Sequence, residues 1–129
     1  MNKNHVNNMI LTAKEALDKC RIATKDGVIN STFRGQISSF GAAIVMGSLP
    51  AAVAFFTEQG GASVERQKLP VAIYYCLYGE IKTPEEVLRF VCENNSYKLK
   101  EAFTEASIAL KLAMNFYKLE SKEENHAES

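Results

Sequence analysis

Between Phe40 and Phe56 the chain reads FGAAIVMGSLPAAVAFF, a run without one charged side chain that the other residues must arrange themselves to cover. Gly47, Ser48 and Pro50 divide it: glycine ends a helix readily, serine caps the next, and proline is tolerated in a first turn but not in a helix interior. The run also falls short of the ~20 continuous apolar residues that cross a bilayer, so it predicts a buried helical hairpin. Ala42, Ala43, Ala51, Ala52 and Ala54 put small groups on its faces and let neighbouring helices approach closely.

A chain of 129 residues, 47% hydrophobic and 23% charged, has the size and composition of one globular domain. Its fifteen basic and fifteen acidic residues cancel. Attraction to a polyanion therefore depends on how the folded surface segregates the two signs. The opening MNKNHVNN lacks the apolar core and cleavage pattern of a secretory signal, which makes the cytoplasm the default location. Cys20, Cys76 and Cys92 are widely spaced in apolar helical patterns, so they predict packed free thiols and no disulfide framework.

Apolar residues recur at helical spacing from about Asn7 to Thr24, through Met9, Ile10, Ala13, Ala16, Leu17 and Cys20. On that helix Lys14 and Arg21 lie about 20° apart around the axis, and Lys3 and Lys25 join the line if the helix extends that far, while Glu15 and Asp18 lie well round from it. Asn30, Ser31 and Thr32 offer caps for a second helix carrying Phe33, Arg34, Ile37, Phe40, Ile44 and Val45. The third helix ends before Gln59, Gly60 and Gly61, which predict a loop, and Pro70 either kinks the fourth or begins its longer half. Thr83, Pro84 and Glu86 supply cap, first-turn proline and third-position carboxylate for a fifth.

The longest pattern follows, with Leu99, Ala102, Phe103, Ala106, Leu110, Ala113 and Tyr117 on one face. On its other side Lys100, Thr104, Lys111, Asn115 and Lys118 fall within about 60° of one another, a second basic stripe. No strand is expected. The sequence thus predicts an all-α, compact single-domain bundle of about six helices over residues 1–119, with a polar tail over 120–129 that has nothing to bury and is expected to be disordered.

Catalytic chemistry finds little to stand on. His5 and His126 sit near opposite ends, and no CxxC or HExxH spacing occurs, so neither a metal nor another cofactor is expected. Nucleophile elbows, P-loops and dinucleotide fingerprints are missing from the sequence. Glu85 with Glu86, and Glu101 with Glu105, fall at cap or solvent positions. Phe55, Phe56, Tyr74 and Tyr75 stand in apolar helices as core or interface residues, and Tyr78 beside Gly79 is the aromatic expected to be exposed. What remains is the basic stripes, which can follow a phosphate backbone without reading bases.

Three stretches resemble the small α-helical subunit of the type III-B (Cmr) CRISPR effector complex. They are Phe33 with Arg34 ahead of the apolar helix, MGSLPAAVAFF from Met46 to Phe56, and YKLKEAFTEASIALKLAMNFYK from Tyr97 to Lys118. The chain departs from that pattern at Ser39, Phe40 and Gly41, and again at Leu112, Met114 and Asn115, where Lys111 and Lys118 are the nearby cations. The resemblance implies a non-enzymatic subunit in antiviral defence that stacks with copies of itself. Its other implied partners are the complex's backbone subunits, which hold the guide RNA, and the target RNA, while cleavage belongs to other subunits. Lys14, Arg21, Lys25, Arg34, Lys111 and Lys118 are the candidate RNA contacts. The small subunit of the related type III-A complex and a helical adaptor that joins only proteins are the alternative readings.

Overall fold

Side-chain caps start four of the helices. The Asn2 side-chain oxygen accepts from the backbone N–H groups of Asn4 and His5 at 2.9 and 3.3 Å and opens α1 (Lys3–Lys19). Ser48 accepts from Ala51 at 3.2 Å and opens α3 (Leu49–Thr57), with Pro50 in its first turn. Thr83 and Glu86 bond each other's backbone N–H reciprocally at the start of α5 (Pro84–Glu93), and Ser96 accepts from Leu99 at 3.1 Å to begin α6 (Tyr97–Ala113). Each cap satisfies donors that a helix start leaves without an intrahelical partner.

The computed structural model describes residues 2–58 and 65–120. The remaining elements are β1 (Val28–Asn30), α2 (Thr32–Met46), α4 (Lys68–Tyr78), a 3-10 turn at Met114–Phe116 and β2 (Lys118–Glu120). The fold is an all-α bundle, with six helices and one minor sheet among the described residues. Pro70 is the third residue of α4 and so belongs to its first turn, where the missing N–H costs little. Gly79 ends α4 in the left-handed conformation at φ 73°, which glycine adopts without the penalty a Cβ would bring.

α6 packs against α1, α2 and α4, while α3 lies on α2 and α5. Phe40, Phe103, Leu17, Ile37, Ile44, Leu69, Ile73 and Leu110 are fully buried between these helices. Phe40 and Phe56 meet edge to face at 5.0 Å between centroids and tie α2 to α3. Gly41 sits so close to α6 that an added Cβ would stand 3.4 Å from the Ser107 hydroxyl oxygen.

Several boundaries differ from the sequence expectation. α1 begins at Lys3 because of the Asn2 cap and ends at Lys19, after which Arg21 takes φ 58° and turns Ile22 and Ala23 into the core. β1 and β2 form a parallel pair in the register Val28↔Lys118, Ile29↔Leu119, Asn30↔Glu120, where the sequence pattern predicts no strand. α6 therefore stops four residues short of Tyr117, and Glu120, which the composition places in the tail, accepts from the Ser31 N–H at 2.9 Å. The apolar hairpin is only half covered. Leu49, Ala52, Val53 and Phe56 are buried, whereas Ala42, Val45, Met46, Ala51, Ala54 and Phe55 are exposed. The Gln59–Gly61 loop, His126 and the tail beyond Glu120 lie outside the described residues.

Candidate nucleic-acid interface

The six candidate cations do not form two helical stripes. Lys14 is on α1, where its ammonium stands 5.4 Å from the centre of the Tyr117 ring. Arg21 lies beyond the end of that helix, and its positive φ removes it from the line through Lys14. Its backbone carbonyl accepts from the Lys68 Nζ at 3.1 Å. Lys25 sits in the turn that follows, closed by the Gly27 N–H on the Thr24 carbonyl at 3.0 Å. The first stripe is thus corrected: a helix that ends at Lys19 cannot align three cations that run from Lys14 to Lys25.

The second stripe survives as far as α6 extends. Lys100, Thr104 and Lys111 stay on one side of the helix, and Asn115 follows in the 3-10 turn. Lys118 leaves it, because β2 is extended and carries that residue to the Gly27 carbonyl, where its N–H donates at 3.0 Å. Arg34 of α2 joins the stripe instead. Its Nη1 donates to the Asn115 side-chain oxygen at 2.7 Å.

Residues 114–120 are consequently the place where candidate cations from distant parts of the chain converge. Asn115 meets Arg34, Tyr117 lies under Lys14, and Lys118 pairs with Val28 beside the turn that carries Lys25. The Tyr117 hydroxyl shares its single proton between the Lys14 carbonyl at 3.0 Å and the Asp18 carboxylate at 2.7 Å. Burial first, and then the bond to Asp18, raise its pKa well above the ordinary phenol value.

The two sides of this convergence differ in charge balance. Around α1 the cations alternate with acids: Lys19 pairs with Glu15 at 3.7 Å, Lys68 with Glu65 at 3.5 Å, and Asp18 holds Tyr117. Along the groove between α2 and α6 they do not. A groove of about 440 Å³ runs there between Ile37, Ala42 and Val45 on one wall and Thr104, Ile108 and Lys111 on the other, and no carboxylate lines it. From Thr32 to Thr57 the chain has no acidic residue. Among the described residues neither Arg34 nor Lys111 is in an ion pair; Lys111 borders the groove, and Arg34 lies one turn before Ile37 on the helix of the opposite wall.

Three features escape or mislead the sequence pattern. Glu105, which helical spacing gives to solvent, is 5% exposed and accepts from the Asn2 N–H at 2.7 Å, with the His5 Nδ1 at 3.3 Å. Phe55 is exposed, and so are Tyr97 and Phe116, each more so than Tyr78. The β-branched pair Val28–Ile29 between Gly27 and Asn30 is the available signal for β1, and with it for the break after α6. Among the described residues no three His, Cys, Asp or Glu side chains gather as metal ligands, and no helix is long and apolar enough to cross a membrane. Compared with known proteins, the chain matches no family model, no curated protein and no solved structure.

Proposed function

We propose that this chain is a non-catalytic small subunit of an RNA-guided effector complex of the type III-B CRISPR kind, working in the cytoplasm in antiviral defence. In this reading it stacks with copies of itself along the backbone subunits and touches target RNA through phosphate-directed cations. The observation that supports it best is the α2–α6 groove, lined without a carboxylate and carrying Lys111 on its α6 wall, with Arg34 one turn before Ile37 on α2 and hydrogen-bonded to a neutral acceptor. Phosphate contacts of that kind position a strand without reading it, which leaves sequence choice to the guide. Arg34 and Lys111 are the principal contacts, Lys118, Lys25 and Lys14 flank them, and Arg21 is the least favoured. The likeness of Phe33–Arg34, Met46–Phe56 and Tyr97–Lys118 to the Cmr small subunit supports the same assignment.

A second reading, a helical adaptor that joins only proteins, is favoured by the exposed apolar hairpin face, where Met46 is 88% open. Arg34→Glu with Lys111→Glu in the assembled complex separates the two. Retention of target RNA should fall, and the dependence of log affinity on log salt should flatten by about 0.7 per lost phosphate contact on a single strand. Unchanged retention with an unchanged salt slope would reject the RNA-contacting role and leave the adaptor.

A further inference from the structure

We infer that Phe55 and Arg66 form a stacking site for one unpaired base of a single-stranded RNA, with a neighbouring phosphate on the guanidinium edge; this rests on the RNA-contacting reading above. Phe55 is the last large side chain on the outward face of α3, and it is 56% exposed. Its neighbours on that face are Ala51 and Ala54, so no long side chain crowds the ring from its own helix. The core does not need it: Phe56, next in sequence, is the one that turns inward against Phe40.

Arg66, two residues before α4, places its guanidinium carbon 4.5 Å from the Phe55 ring centre and 5.8 Å from that of Phe56. Its Nε donates to the Glu58 backbone carbonyl at 3.3 Å, which fixes the plane of the group. Among the described residues Arg66 has no ion pair, because Glu65 beside it is taken by Lys68 at 3.5 Å. A guanidinium over an aromatic ring with only its Nε spent on a backbone carbonyl keeps its other N–H donors for a phosphate, while aromatic and guanidinium surfaces accept any base. The ligand class follows from having both parts at once. A base with its phosphate uses the ring and the guanidinium together, whereas a free phosphate would use the donors and leave the ring wet.

The test titrates the full chain with hexaadenylate RNA and with a tetrahydrofuran-spacer oligomer of the same length and charge, following backbone amide shifts. The parent should bind the RNA about five-fold or more tightly than the spacer. Phe55→Ala should erase that preference while binding the spacer as before, and Arg66→Lys, which keeps the charge but not the planar stack, should reduce it. Phe55→Leu keeps the apolar bulk without the ring and should match alanine, which covers any disturbance of α3 by the smaller side chain. Equal binding of both oligomers by the parent, or a preference that survives Phe55→Ala, overturns the site even if Arg34→Glu with Lys111→Glu weakens RNA retention. A parent that binds neither oligomer overturns the site, while the RNA-contacting reading falls on unchanged retention in the assembled complex; a lost preference in Phe55→Ala supports the site whatever the α2–α6 variants do.

Discussion

Arg34 and Asn115 are joined across 81 residues by one hydrogen bond of 2.7 Å, and its acceptor is neutral. An amide oxygen steadies the guanidinium without cancelling its charge, so the arginine stays available to a phosphate. A carboxylate at the same position would form an ion pair and close the site while leaving the cation in place.

Asn115→Asp is therefore a sharper probe than removing the arginine. The variant should keep or slightly gain thermal stability, since an exposed ion pair contributes at most about 1 kcal/mol, yet retain target RNA several-fold less well in the assembled complex. Undiminished RNA retention, with the ion pair between Arg34 and the introduced carboxylate confirmed by structure, would mean that Arg34 does not touch RNA.

Glu105 holds the start of α1 to the middle of α6. Its carboxylate accepts the Asn2 N–H at 2.7 Å and is nearly closed to solvent, so removing it strands a donor in a site that water reaches poorly. Glu105→Ala should lower stability by roughly 1–3 kcal/mol in urea denaturation, and Glu105→Gln, which keeps one acceptor, should cost less. Faster amide exchange should be confined to the first turns of α1. Equal losses in the two variants would show that the carboxylate matters for packing and not as an acceptor.

What can be read from the sequence is the local part of this molecule. Ser48 with Pro50 and Thr83 with Glu86 carry their meaning within four residues, and both mark helix starts the chain uses. Helical periodicity likewise assigns Phe40, Ile44, Phe103 and Leu110 to the core. The failures share one cause. Periodicity misplaces Arg21, Tyr117 and Lys118 by continuing a helix past the point where a distant segment captures the backbone, and it gives Glu105 to solvent because only the folded N-terminus covers that residue. The candidate site divides in the same way: Lys100, Thr104 and Lys111 group together from α6 alone, but the arrival of Arg34 at Asn115 depends on how α2 crosses α6.

Tyr117 makes the fold sensitive to alkali in a defined direction. Burial and the bond to Asp18 raise its pKa, so the folded state holds the phenol proton more tightly than the unfolded chain does. Stability from this group is complete below pH ~10, the unfolded value, and is lost as pH rises toward the folded value. Tyr117→Phe should be less stable than the parent at neutral pH by about 1 kcal/mol, and the gap should narrow above pH ~10. Tyr75, raised chiefly by its bond to Glu15, and Tyr78, raised by burial, keep some alkaline loss in the variant. Parallel stability curves between about pH 9 and pH 12 would assign the hydroxyl no part in the α1 contact.

The thiols separate by element in a way that their apolar surroundings in the sequence do not reveal. Cys92 is on the outward side of α5, opposite the buried Val87 and Val91, and is exposed. Cys20, at the end of α1, is half-buried, and its thiol is pushed up to about 11 by burial, with Lys68 opposing. Burial, with a smaller contribution from Cys20, pushes the Cys76 thiol up to about 12. Because the thiolate is the reacting species, native protein at about pH 8 should take up one equivalent of a disulfide reagent such as dithionitrobenzoate within minutes and the other two only as fast as it unfolds. Cys92→Ser should abolish the fast equivalent and leave the slow ones unchanged. Any fast equivalent remaining in that variant would mean that the junction between α1 and α4, where Lys68 bonds the Arg21 carbonyl, opens in the native state far more often than its packing implies.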